Sequence, residues 1–279
     1  MLRRTRWRVV EEPCRPGDAA ARWEAAARAG ATGAVTTWGA GIPGRELIRL
    51  YWEVSPDAEV PEGEDLVEQN WTPCWRQTLS AVAVTPRVAL VPAWEAGAPP
   101  APITLRVDPG MAFGAGDHPT TRLCVRVLDE LALAGDLPPR LLDVGTGTGV
   151  LALVSACLGA TAVDALDIDP FGFAACRRNA HLNGLSAAVR PVLLSLDLLA
   201  GVYPLVVANI VAGQLQVLAP LLRERVAPGG RLLVSGFEER DEQRVRDHVL
   251  GPFVLEARLA EEGWLALLGR DQGGSRAAS

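Results

Sequence analysis

The chain has 279 residues, with 27 Lys+Arg against 33 Asp+Glu and a formal net charge of −6. Every one of those cations is an arginine, which excludes Schiff-base chemistry on lysine, pyridoxal phosphate enzymes and the P-loop lysine of nucleoside triphosphatases. With 49% apolar and 22% charged residues the composition is that of a soluble globular protein, and its acidic balance argues against direct binding to nucleic acid.

Residues 1–56 read as strand (6–10), helix (18–29, with Asp18 as N-cap), strand (34–38) and strand (46–54). That β-α-β-β order predicts a small α+β domain, about half of a ferredoxin-like sheet. It holds four of the eight tryptophans, Trp7, Trp23, Trp38 and Trp52, which read as core packing, with a docking face as the alternative. Only two consecutive apolar residues precede Glu11 and Glu12, so no signal-peptide core is expected. Residues 57–65 are acidic, contain Pro61 and Gly63, and read as a linker. The connecting segment to residue 107 shows a helical pattern around Trp71 and Trp75, strands at 87–91 and 103–107, and a Pro-rich surface loop at 96–102.

From residue 108 strands and helices alternate. Strands are predicted at 141–144, 162–168, 189–194, 205–208 and 231–235, and helices at 150–158, 170–183, 213–226 and 239–250. A hairpin at 253–259 and 264–268 closes the series. Near-continuous apolar strands between helices mean a parallel sheet covered on both faces. The antiparallel hairpin at its end predicts a seven-stranded, Rossmann-like class I methyltransferase domain over 108–270, with a disordered tail at 271–279. The charge-free stretches 144–163 and 198–222 are broken by glycines, prolines and amides and are not membrane spans. Five cysteines, odd in number and without C-x-x-C, read as reduced packing thiols of a cytoplasmic protein with no metal site. Nothing points to an obligate dimer, so a monomer is expected.

Four segments carry chemistry. LLDVGTGTGVLAL (141–153) takes a buried strand into a turn of Gly145, Gly147 and Gly149, where a backbone can approach a ligand closely. Its G-x-G-x-G spacing is one residue shorter than the dinucleotide fingerprint and makes less provision for a pyrophosphate. In DALDIDP, Asp167 ends the next strand, where a carboxylate accepts both hydroxyls of a ribose, Ile168 lies against an adenine, and Asp169 is the better helix cap. In VVANI, Asn209 ends a further strand, where an amide can accept from an amino group and orient its lone pair. DPGMAFGAGDHPTTRL (108–123) reads as a lid before a helix starting near Pro119; Thr121 could bond a methionine carboxylate, and His118 is a candidate proton acceptor. No general base stands out.

Together FGAGDHPTT, LDVGTGTGVLA, LDIDP with Asn179, Asn183 and Gly184, VVANI, LAP and PGGRLLVSG resemble the ribosomal protein L-eleven methyltransferase family over about residues 66–268. The resemblance implies S-adenosylmethionine contacts at Thr121, Gly145, Gly147, Asp167 and Asn209. It also implies ribosomal protein L-eleven as substrate, methylated on lysines and the N-terminal amine, with the N-terminal domain capturing it. Three positions depart from the family pattern: Ala115 stands where a Thr is usual, Asp117 fills the variable position, and Tyr203-Pro204 replaces Phe-Asp. Pro204 is tolerable at the first residue of a strand. The alternatives are a methyltransferase of another protein, RNA or small molecule, and a nicotinamide-dependent oxidoreductase or non-catalytic nucleotide-binding module.

Overall fold

The computed structural model describes residues 5–15, 17–38, 46–54, 60–67, 79–110, 112, 114 and 116–273. Trp71 and Trp75 with their helical pattern, Ala115, and most of the C-terminal tail lie outside the described residues.

Strands β8 (Arg140–Val144), β9 (Ala162–Asp167), β10 (Val189–Leu194), β11 (Tyr203–Asn209), β12 (Val226–Glu238), β13 (Val254–Glu261) and β14 (Trp264–Arg270) lie in the order β13-β14-β12-β11-β8-β9-β10. These are the seven expected strands: β12 to β10 run parallel, and β14 is antiparallel to both its neighbours. The hairpin turns through Glu262 at φ 52° and Gly263 at φ 80°, the two positive φ angles a tight two-residue turn requires.

Alternation along the strands explains the layering. Leu142, Val144, Val206 and Ala208 face one core, while Leu141, Leu205 and Val207 face the other. Helix α5 (Ala212–Arg225) covers the first face through Leu215, Ala219 and Leu222. Helices α2 (Pro119–Leu133) and α3 (Val150–Cys157) cover the second, and Cys176 and Ala180 of α4 (Pro170–Leu182) join them. A separate three-stranded sheet, β5 (Val82–Ala83), β6 (Val88–Pro92) and β7 (Ile103–Val107), delivers the chain to residue 108. The loop at 96–102 between β6 and β7 is largely exposed, as its composition predicts.

Residues 6–53 form β1 (Arg6–Cys14), α1 (Ala19–Arg28), β2 (Gly33–Trp38) and β3 (Glu46–Glu53). Asp18 sits at the N-cap of α1, but its side chain makes no capping bond. Trp7 and Trp52 are buried, which supports the core reading. Four expectations need correction. Glu64–Val67, whose first two residues read as the end of the linker, is a fourth strand, β4, paired with β1, where Asp65 takes ion pairs from Arg6 and Arg8. The four strands do not stand apart: β2 pairs in parallel with β10, giving one eleven-stranded sheet. Pro204 is the second residue of β11, where the register with β12 shifts, so an irregularity accommodates its missing N–H. The predicted helix at 239–250 is a succession of 3₁₀ (Glu239–Asp241), α (Glu242–Val245) and π (Arg246–Leu250) turns. Among the described residues no helix is long and apolar enough to cross a membrane.

Candidate active site

The C-terminal ends of β11, β8, β9 and β10 lie side by side, where open α/β sheets bind ligands. Between β8 and α3 the chain turns through residues 145–149. Gly145 has φ +70°, and a Cβ there would overlap Ile210 Cγ2, so only glycine lets this turn lie against the exit of β11.

Asp167 ends β9 beside the turn. Its Oδ2 accepts the Gly147 N–H at 2.8 Å and its Oδ1 accepts the Asp169 N–H at 2.9 Å. These bonds hold the carboxylate in one orientation. Burial raises its pKa, and the backbone N–H groups oppose that rise by favouring the anion. Asp169 caps α4 through the Phe171 N–H at 2.9 Å, the cap the sequence predicts. Ile168 between them is 53% exposed, an apolar surface at the strand ends.

Asn209 ends β11. Ala208 pairs with Val144, which places Asn209 beside Gly145. Its Nδ2 donates to Thr121 Oγ1 at 3.4 Å, and its Oδ1 is buried without a hydrogen-bond partner among the described residues. A buried carbonyl lacking a donor is costly, and a ligand N–H removes that cost. Thr121 itself is buried in the first turn of α2. Thr121, Gly145 and Asn209 therefore form one cluster, with Gly147 and Asp167 bonded to each other alongside it.

The loop from residue 108 to 118 is fastened at both ends. Asn179 accepts the Asp108 N–H at 2.9 Å and donates to the carbonyls of Asp108 at 3.0 Å and Thr148 at 2.9 Å. Asn183 clasps the backbone of Arg106 in the same way. Thr148 Oγ1 donates to the Gly114 carbonyl, tying the loop to the glycine turn. At the exit Arg122 reaches the Asp117 carbonyl, Glu261 and Glu262. His118 is the N-cap of α2: its Nδ1 accepts the Thr120 N–H at 3.3 Å, and its ring meets Trp264 edge-on at 4.8 Å. Burial lowers its pKa and keeps it neutral. Nδ1 so engaged serves as the cap of α2.

Sequence reasoning named Asn179 and Asn183 only as parts of a motif, and it missed Asp197 and Trp264. Asp197 lies beyond the end of β10 and is exposed.

Asp143, fully buried at the base of the turn, accepts from Thr146 Oγ1 at 2.6 Å. Burial, aided by the nearby Asp167 carboxylate, pushes its pKa up to about 7. The folded state thus binds this proton more tightly than the unfolded chain, so stability falls as pH rises from about 4 to about 7. Urea unfolding is expected to show a loss of about 2–3 kcal/mol between pH 5 and pH 8 from this group, and Asp143→Asn removes that part of the slope.

The family model for ribosomal protein L11 methyltransferase (PrmA) matches residues 51–272. A ribosomal protein L11 methyltransferase of Pseudomonas paraeruginosa is 40% identical over 214 residues, covering 76% of this chain and 72% of its own length. That of Thiobacillus denitrificans is 40% identical over 206 residues, covering 74% and 68%. The crystal structure of a ribosomal protein L11 methylase from Lactobacillus delbrueckii subsp. bulgaricus superposes with a TM-score of 0.60 at 30% identity, covering 69% of this chain and all of that one.

Proposed function

The chain belongs to the ribosomal protein L11 methyltransferase family, and from that premise we propose that it transfers methyl groups from S-adenosylmethionine to amines of ribosomal protein L11. The amines are lysine side chains and the N-terminal amino group. The observation that carries this reading is the unpartnered, buried Oδ1 of Asn209 beside Thr121 and Gly145.

The residues present fit the cofactor. Asp167, beside the turn at Gly145 and Gly147, offers an oriented carboxylate to two ribose hydroxyls, and Thr121 lies at the methionine end. When bound, the cofactor supplies an already activated methyl group. The chain's own contribution is alignment and exclusion of water, the latter by the fastened loop 108–118. A lysine near pH 7.4, with an ordinary pKa of 10.4, loses its proton at a cost of about 4 kcal/mol. A pocket of low polarity disfavours the ammonium and shrinks that cost, so no dedicated base is required. Asn209 Oδ1 accepts one N–H of the neutral amine and leaves its lone pair directed into the pocket. We assign the N-terminal strands β1–β4 the capture of L11 and residues 108–270 the transfer chemistry.

The test is methyl transfer from isotope-labelled S-adenosylmethionine to purified L11, run beside L11 whose amines have been acetylated. Label enters the untreated protein and not the acetylated one. Equal labelling of both would place the methyl on something other than an amine.

A further inference from the structure

Neighbouring residues of helix α4 touch two different parts of the molecule. A Cβ at Gly172 would lie 2.6 Å from Asp167 Oδ2, so the first turn of the helix packs directly against that carboxylate. Asp169, which caps the same turn, donates its N–H to Asp167 Oδ1 at 2.9 Å. The next residue after Gly172, Phe173, meets the fully buried Trp7 of β1 edge-on at 5.6 Å. With Ala174 it packs among Trp7, Val35, Tyr51 and Leu193, a buried cluster of its own. One turn further on, Arg177 donates to both oxygens of Glu53, at the end of β3, at 2.6 and 2.7 Å. The same guanidinium lies over the Phe173 ring at 5.3 Å. The strands are anchored next to this contact, where β2 pairs with β10 at Gly33 and Ala34 and the Thr36 hydroxyl donates to Asp197 at 3.0 Å.

Helix α4 is thus held by the N-terminal strands on one side and lies against Asp167 on the other. A close-packed helix transmits a displacement instead of absorbing it, and a forked guanidinium–carboxylate pair fixes orientation as well as distance. A shift of the first turn of α4 moves Gly172 and the Asp169 N–H together, and both meet the Asp167 carboxylate.

We propose that Glu53, Arg177 and Phe173 are positioning residues for the cofactor's ribose: by clamping α4, the N-terminal strands fix the Asp167 carboxylate in its binding orientation. This rests on the reading above that Asp167 holds the ribose. The strands assigned to substrate capture thereby also set the affinity for the cofactor. Trp7, the aromatic partner in the clamp, precedes residue 51, where the family match begins.

The test is calorimetric titration of the full chain with two ligands, S-adenosylhomocysteine and the same molecule with hydrogen in place of both ribose hydroxyls. Glu53→Gln is expected to weaken the first by about three- to fivefold and the second by less than about twofold. Arg177→Gln should do the same, and the double variant should lose no more than Arg177→Gln alone, because both changes remove one pair. Phe173→Leu keeps an apolar side chain without the ring contacts and must shift the ratio of the two affinities in the same direction. A general loss of stability lowers both affinities together, so equal loss for the two ligands overturns the proposal, as does an unchanged affinity for both. A wild-type chain that binds the two ligands equally refutes the ribose reading itself, and the clamp falls with it.

Discussion

Asp167→Ala is expected to weaken binding of S-adenosylmethionine by about 100-fold while the chain stays folded. The carboxylate is held by two backbone N–H groups that favour its anion, so bonds from it to the two ribose hydroxyls proposed above would be of the charged kind. At about 1.5 kcal/mol each, two such bonds amount to about 3 kcal/mol, or two orders of magnitude in affinity. Alanine also frees the Gly147 N–H, which loosens the turn and adds to the loss. Asp167→Asn keeps the acceptor oxygen without the charge and should fall between. Calorimetric titration measures this, and an alanine variant within about twofold of wild type would show that the ribose is held elsewhere.

Asn209→Ala is expected to act on the other half of the reaction. Its Oδ1 is a buried acceptor without a partner among the described residues, so on the proposed reading its removal takes away alignment of the incoming amine and spares the ribose site at Asp167. The expected loss in kcat is about 100-fold or more, the range found when one preorganised polar group is deleted from an active site. The affinity for S-adenosylmethionine should change by no more than a few-fold. Asn209→Asp keeps an oxygen acceptor and should recover part of the rate. Steady-state kinetics with L11 separate the two quantities; a variant that loses cofactor affinity and keeps kcat would move Asn209 to the cofactor.

The parts of this site that were legible in the sequence are those written in local pattern. Leu141–Val144, a buried strand running into three spaced glycines, leaves few alternatives, and Asp167 and Asn209 each end an apolar strand at the same edge. The cap at Asp169 follows from Pro170 at the first helical position. What the pattern hides is long-range. Gly33 and Thr36 carry no periodicity, and their meaning comes only from Leu193 and Asp197, more than 150 residues on. β4 has four residues with only Leu66 half-buried, and its acidic start made it look like a linker; pairing with β1 makes it a strand. Asn179 and Asn183 stood out as a motif, yet their work of clasping the backbone at 106, 108 and 148 is visible only in three dimensions. His118, a lone histidine in a glycine-rich loop, gives no sign in the sequence of the helix it caps or of Trp264 beside its ring.

The most direct measurement is the intact mass of ribosomal protein L11 after incubation with this chain and S-adenosylmethionine. The mass should rise in whole methyl increments with wild type, and far more slowly with Asp167→Ala. An L11 mass that stays unchanged while the chain demonstrably binds the cofactor would contradict the account.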